Sequence, residues 1–559
     1  MSAAVLEPPA PAATDARRWV TLGIVLMSTL IVVLDNTVLQ VAIPTILDDF
    51  HTNLSSLQWV ITGYSLTFAT FLIIGGRLGD LYGTRRVFIV GAAMFGLGSL
   101  LASESWNVTS LVIGEAIIEG LGASLMLPAT ISLLSNTFQG KERAMAFAAW
   151  GAVAGSAVGL GPLVGGLLTT NFSWRWSFRI NVIIAPLAVL GAALFVAKTP
   201  RKAEREPLDG PGAALIAIGM FLFVFGLSEG GSYGWITPIA SFAVGGWTVW
   251  PASYPVSIVP ATILLSLVVL AVFYRYERAR ERQDRSPLFE FGLLELPSFR
   301  WGLLTSMVLS IGQLGMILAL ALFLQESLRL TALDNGLWML PFGIMVLLGA
   351  PTGGRMATHI STVWVIRIGL VIQSTGIIVV TLVLSTSTTF LQLLPGLALY
   401  GLGIGLSLSQ ITNVVLSAIP TDRSGVASGT NSTVRQIGSA IGIAVIGTVL
   451  TTRTVRESTS AVTAEPSLTA AARRQAIAQI HASGANYRAA PGPHARVLDA
   501  ISVHSVAVGT HQALLISVGA VVLAVALSCL IPSGNVTVDE SVAEELIGLT
   551  PLDSSAIID

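Results

Sequence analysis

The sequence predicts an all-α polytopic membrane protein with fourteen transmembrane helices. Three observations carry that prediction. Fourteen apolar runs of spanning length recur along the 559 residues, each near the 20 or so helical residues that a bilayer core requires. Charged residues make up only 11% of the chain, with a mean hydropathy of +0.77, against about 25% charged in a soluble domain. The first run encloses one isolated acid, Asp35.

The runs lie at about 19–44, 57–76, 87–103, 108–136, 144–170, 177–197, 211–229, 257–274, 300–325, 335–352, 362–384, 390–417, 424–450 and 506–531. In the first, Asp35 follows Trp19 by 16 residues, roughly 24 Å along a helix axis. A charge at that depth costs roughly 3 kcal/mol or more, and such residues commonly line an ion or substrate path. A neutral acid bonded to a neighbouring helix is the structural alternative. Nothing at the start resembles a short signal segment with a small-residue cleavage site, so the first run is read as a retained helix.

Arginine and lysine set the orientation. With the N-terminus inside, the inner segments carry 20 basic residues and the short outer loops three. Both termini are therefore expected in the cytoplasm. Arginine outnumbers lysine 27 to 3, a bias of high-GC bacterial genomes, so a bacterial cytoplasmic membrane is expected. The single cysteine, Cys529, excludes an intrachain disulfide and a cysteine metal cluster.

Two inner linkers, 198–212 and 275–287, bracket the seventh and eighth runs. Without those two runs, six remain on each side. GGRLGDLYGTRR (75–86) after the second run has an echo in GGRMATHIS (353–361) after the tenth, the matching place in the second set. A six-span repeat is a recurrent plan of alternating-access transporters. The expected domains are a cytoplasmic tail 1–18, a first six-helix bundle 19–197, linkers with two extra spans 198–287, a second bundle 288–531 and an acidic tail 532–559. Within the second bundle, the outer segment 451–505 holds a helix expected over 467–482 with Ser467 as its cap.

The loop 75–86 has the pattern Gly76, Asp80, Gly83, Arg85, Arg86 between two spans. Span 5 reads WGAVAGSAVGLGPLVGGLL (150–168), with Gly151, Gly155 and Gly159 four apart, then Gly161, Pro162, Gly165 and Gly166. Small residues at that spacing let helices approach closely. A proline in mid-span frees backbone groups. These two motifs resemble the major facilitator superfamily. LDNTVLQVAIPTI (34–46), QWVITGYSLTFA (58–69), LPATISLLSNTF (127–138), KERAMAFAAWGA (141–152) and WRWSFRIN (174–181) resemble its fourteen-span drug:proton antiporters. The resemblance covers roughly residues 15–450 and the last span. It implies a major facilitator fold of two six-helix bundles plus two central spans. It also implies a gating role for the 76–86 residues, an exporter signature in span 5 and a proton-coupling role for Asp35. A monomer follows by analogy.

Span 4 departs from that pattern. Where relatives carry Arg-x-x-x-Gln-Gly, this chain has Glu115 and Glu119 before Gly120. Positions i and i+4 share a helix face, so the two acids stack and suit proton binding or attraction of a cation. Arg435, about eleven residues into span 13, needs a partner; Glu119 or Asp35 are candidates, and Arg435 is expected to join Asp35, Glu115 and Glu119 in proton coupling by tuning the acids. Gln40, Asn181, Gln313, Gln325, Gln410, Asn413 and Asn431 are polar groups in or near spans, available to line a substrate cavity, and Tyr64 could offer it an aromatic face.

No Gly-Lys-Ser/Thr phosphate loop and no zinc spacing of histidines occurs, so ATP-driven, metal-dependent and enzymatic readings are disfavoured. No cofactor and no nucleic-acid partner is expected. The expected function is proton-gradient-driven export of an amphipathic small molecule such as a drug or antibiotic. Alternatives are a lipid or lipid-conjugate exporter of the same fold, with 451–505 as a docking piece, and a non-transporting sensor or assembly subunit.

Overall fold

The computed structural model describes residues 15–533 except 53, 198–207, 245, 246, 284, 286, 418, 421 and 422. Most of the linker 198–212 and of both terminal tails thus lies outside the described residues. The helices are α1 (Asp15–Phe50), α2 (Leu54–Tyr82), α3 (Thr84–Ser103), α4 (Val108–Leu111), α5 (Gly120–Thr137), α6 (Gly140–Asn171), α7 (Trp176–Phe195) and α8 (Gly210–Ser228). They continue with α9 (Gly230–Tyr233), α10 (Ile258–Glu281), α11 (Pro297–Leu322), α12 (Ala332–Met356), α13 (Thr362–Val383), α14 (Phe390–Ser417), α15 (Ser424–Ala464), α16 (Ala470–Ser483) and α17 (Ala495–Ser528). A hairpin of β1 (Phe242–Val244) and β2 (Trp247–Trp250) sits between α9 and α10, with Val244 opposite Trp247.

Among the described residues, 13 helices are long and apolar enough to cross a membrane. The 29-residue α2, which covers the second expected span, is not among those 13. The chain is a multi-pass membrane protein with the all-α fold the sequence predicts. Many side chains facing outward are large and apolar, as on Leu194, Leu264 and Leu382. That pattern is costly in water and satisfied in lipid.

Side-chain ties sort the connections into two ends. At the first end, Arg18 bonds Glu142 at 3.0 Å, Arg423 bonds Glu290, and Arg85 donates to the carbonyl of Ala193. At the second, Arg175 bonds Asp49 at 3.3 Å, Arg179 bonds Glu104 at 2.9 Å, and Glu326 takes Arg329 and Arg488 at 3.0 and 3.2 Å. The Arg179 guanidinium also holds the exposed Glu104 carboxyl below its ordinary pKa.

The segment 451–505 is more helical than the sequence reading held. α15 runs on to Ala464 and α17 starts at Ala495, so only 465–494 connects them. The cap of α16 is Thr469, whose hydroxyl accepts from the Ala472 N–H at 3.2 Å. Ser467, the expected cap, instead donates to Glu465 at 2.7 Å. Val462, Leu468, Ala476, Ile480 and Tyr487 form a small core under this connection.

Candidate functional site

The site begins with the entry into the fourth span. Asn107 accepts from the Ser110 N–H at 2.8 Å while the Ser110 hydroxyl accepts from the Asn107 N–H at 3.2 Å, a reciprocal cap that starts α4. The chain then widens into a π-helix, Val112–Glu119, before α5. Such wide turns are rare and recur at functional sites. Glycines set its distance from α3. A Cβ on Gly98 would strike the backbone of Gly114 and Glu119, and one on Gly114 would strike Ala102. This close approach carries Ser99 to Glu119.

Within that frame Asp35, Glu115 and Glu119 meet. One carboxylate oxygen of each lies within 4.8 Å of the others, and all three residues are buried. Asn181, on α7, donates to Asp35 at 2.7 Å and to Glu119 at 3.1 Å. The Ser99 hydroxyl donates to Glu119 at 2.5 Å. No hydroxyl, amide or other N–H donor among the described residues reaches the second oxygens of Asp35 and Glu119 or either oxygen of Glu115, whose neighbours are the other carboxyl groups of the cluster. Tyr64, buried on α2 and stacked on Phe68, lies within electrostatic reach of all three acids, and its hydroxyl is also unpartnered. Three full negative charges at this separation repel by roughly 3–4 kcal/mol per pair at an effective ε near 20. The cluster is stable when it holds protons or a cation. Its all-oxygen donor set would suit a hard cation and not zinc.

The donors to this cluster come from α3 and α7, so it faces into the leading helices. The structure does not bring Arg435 to it. Arg435 is half-buried on α15, forms no ion pair among the described residues, and its Nε has no partner. The expected pairing with Glu119 or Asp35 is therefore corrected. Spacing along a helix does not fix which way the residue faces, and this one faces elsewhere.

The span-5 glycines form a two-sided seam. A Cβ on Gly161 would strike Thr37, and one on Gly165 would strike Val38, both on α1 just beyond Asp35. On the other side Gly155 meets Val346, Gly159 meets Phe342 and Gly166 faces Leu333, all on α12. Helix α6 is thus held between the acid-bearing α1 and α12. The side chain of Pro162 lies outside the described residues.

At the first end, Asp80 accepts the Gly425 and Val426 N–H groups at 2.7 and 2.8 Å. The residue at the cap position of α15, Arg423, makes no side-chain bond that caps the helix, so Asp80 performs that task from 345 residues away. Gly76 and Gly425 face one another so closely that a Cβ on either would hit the other's carbonyl. Ser132 and Ser428 bond at 2.9 Å nearby. This end is closed. Gly83 has φ of 93°, a conformation that favours glycine, and turns the chain from α2 to α3. Sequence reading finds the residues of this loop but not their partner, the start of α15.

Gln313, Gln410, Asn413 and Asn431 are buried, and Gln410 donates to Ser409 at 3.3 Å. The side chain of Gln40 lies outside the described residues. A pocket of about 570 Å³ toward the second end is lined by none of these.

Comparison with known proteins places the chain. The model of the Major Facilitator Superfamily matches residues 25–228 and 223–443. A probable actinorhodin transporter of Streptomyces coelicolor is 33% identical over 78% of this chain and 72% of its own length. The puromycin resistance protein pur8 of Streptomyces alboniger is 31% identical over 81% and 85%. The multidrug efflux pump LfrA of Mycolicibacterium smegmatis is 29% identical over 81% and 84%. Among solved structures, the human organic anion transporter MFSD10 (TETRAN) superposes with a TM-score of 0.57 at 13% identity, covering 93% of this chain and all of that one. The proton:xylose symporter XylE superposes with a TM-score of 0.52 at 12% identity, covering 76% and 87%. Those two similarities speak for the fold alone. By sequence over most of its length, and by the arrangement of its helices, the chain belongs to the Major Facilitator Superfamily, a family of membrane transporters and not of enzymes.

Proposed function

We propose that this protein is a proton-driven exporter of amphipathic small molecules, of the drug or antibiotic kind. The observation that carries the coupling is the meeting of Asp35, Glu115 and Glu119, buried together within 4.8 Å. The relatives named for actinorhodin, puromycin resistance and multidrug efflux support the cargo class. In this reading both termini are cytoplasmic, and the end closed by Asp80 and Gly76 is the cytoplasmic gate. The molecule is then closed to the inside. The domains are two six-helix bundles, 19–197 and 288–531, with the two spans of 198–287 between them.

Proton arrival neutralises the carboxylates, and proton loss restores their repulsion. Either event shifts α1 against the Gly161 and Gly165 face of α6. The opposite face of α6, at Gly155 and Gly159, passes the shift to α12. Coupling therefore runs through backbone contact between helices and does not require the substrate to touch the acids. Arg435, expected with the coupling residues, takes no part in this pairing.

Everted membrane vesicles energised to an acid interior provide the test. Addition of a substrate such as ethidium is expected to release luminal protons in proportion to its uptake. Uptake that persists unchanged with the proton gradient collapsed would overturn the coupling.

A further inference from the structure

The connection between α8 and α10, at the second end, carries no charge. From Gly230 to Tyr274 the chain has no aspartate, glutamate, lysine, arginine or histidine. The other long connection at this end, 465–494, holds Glu465, Arg473, Arg474 and Arg488, as a connection standing in water does. In place of charge the uncharged one has Tyr233, Trp235, Trp247, Trp250 and Tyr254.

Its geometry turns it back toward the membrane. Phe242, the first residue of β1, packs edge-on against Phe225 with ring centres 5.5 Å apart. Phe225 lies within α8, three residues before its end, so β1 starts at the depth of the last turn of a spanning helix. Trp250 pairs with Phe242 across the hairpin. Its indole N–H donates to the Val256 carbonyl at 2.9 Å, and its ring packs on the apolar cluster that holds Phe225. The root of the hairpin is thereby fixed, but its tip is uncovered. Trp247 is 82% exposed, and Ile236, Ile239, Val249, Tyr254 and Val256 are exposed with it. The helices on either side are apolar on their exposed faces too, as at Phe221 near the end of α8 and Leu264 near the start of α10.

An exposed apolar surface of this kind marks a contact. The hairpin has only two strands, so its outer edges still need hydrogen-bond partners, which hydrocarbon does not supply. The headgroup layer meets both needs, with water and polar oxygens for the backbone and an apolar boundary for the rings. Tryptophan and tyrosine favour that level.

We propose that residues 234–257 form an interfacial anchor whose partner is the lipid surface, with the hairpin seated in the headgroup layer and Trp247 at its tip. With both termini cytoplasmic, this is the outer leaflet. Trp235 and Ile239 of the same segment line the pocket of about 570 Å³, so the anchor ties one wall of that pocket to the lipid boundary. A second protein chain is the other candidate occupant. Protein interfaces have polar rims, and a protein partner gives no reason for the loss of every charge and histidine.

The test places a nitrobenzoxadiazole dye on the full-length protein in phosphatidylcholine nanodiscs. One protein carries Cys529→Ser and Thr248→Cys, beside the retained Trp247. The reference carries Cys529→Ser and Ala490→Cys, in the polar connection. Lipid spin-labelled near its headgroup is expected to quench the dye at position 248 about two-fold and to leave position 490 unchanged. Iodide in the water is expected to quench position 248 at least about three-fold less than position 490. Equal iodide quenching at the two positions, with no effect of the spin-labelled lipid, would show a hairpin standing in water and overturn the proposal. Shielding of position 248 from both quenchers would show a protein cover and overturn it as well. Adding Trp247→Glu and Val249→Glu to the Thr248→Cys protein, with the melting temperature unchanged, is expected to reverse the pattern at position 248. Lipid quenching that persists undiminished in that variant would count against an anchor held by these side chains.

Discussion

Asp35→Asn is expected to abolish uphill export while leaving exchange of substrate across the membrane at equal concentrations. The loss in uphill rate should reach about 100-fold, equivalent to roughly 2.7 kcal/mol. Asparagine keeps the shape and still accepts the Asn181 hydrogen bond, now 2.7 Å long, but cannot carry a proton. Glu119→Gln should behave alike, since that side chain takes bonds from both Ser99 and Asn181. Glu115→Gln should be milder, because no hydroxyl or amide donor among the described residues holds its oxygens. Net transport against counterflow, in vesicles of the same protein content, separates coupling from binding. Loss of both activities together would mean that the substitution damaged the transport path and not the coupling.

Asp80→Ala should loosen the closed end. It deletes two hydrogen bonds from a carboxylate to the first turn of α15, each worth about 1.5–3 kcal/mol when charge-assisted. The helix dipole adds a further part of that attraction. A net loss of about 2 kcal/mol raises the open population roughly 30-fold. Ser132→Cys in a Cys529→Ser background reports it, because Ser132 is fully buried against Ser428 in the closed arrangement. Its maleimide labelling should rise by about that factor in Asp80→Ala. Gly76→Val should raise it too, by driving a side chain into the Gly425 carbonyl. No change in labelling would mean that other contacts hold this end shut.

What the sequence disclosed was chiefly what hydrophobicity makes costly. An acid in an apolar run needs a reason, so Asp35, Glu115 and Glu119 stand out from the residue order alone. Their helical runs and the glycine seam of α6 are equally plain, because period and residue size are local properties. The partners are not. Ser99 is an ordinary serine in α3, and nothing in its neighbours points to Glu119. The Asp80 contact spans 345 residues, and no local signal announces a cap from that distance. Arg435 misleads for the opposite reason. Depth along a helix can be counted, but the direction a side chain faces depends on how the helix is rotated in the bundle. The pocket between α2, α8, α11 and α15 has no signal of its own, since four helices and a loop make it only together.

That the three carboxylates share the coupling is tested most directly by counting protons. In weakly buffered detergent solution near pH 7, saturating purified protein with tetraphenylphosphonium should release protons to a pH indicator. The release is expected to fall in Asp35→Asn, in Glu119→Gln and, less, in Glu115→Gln, and to vanish in the triple variant. Undiminished release from a folded triple variant would contradict the account.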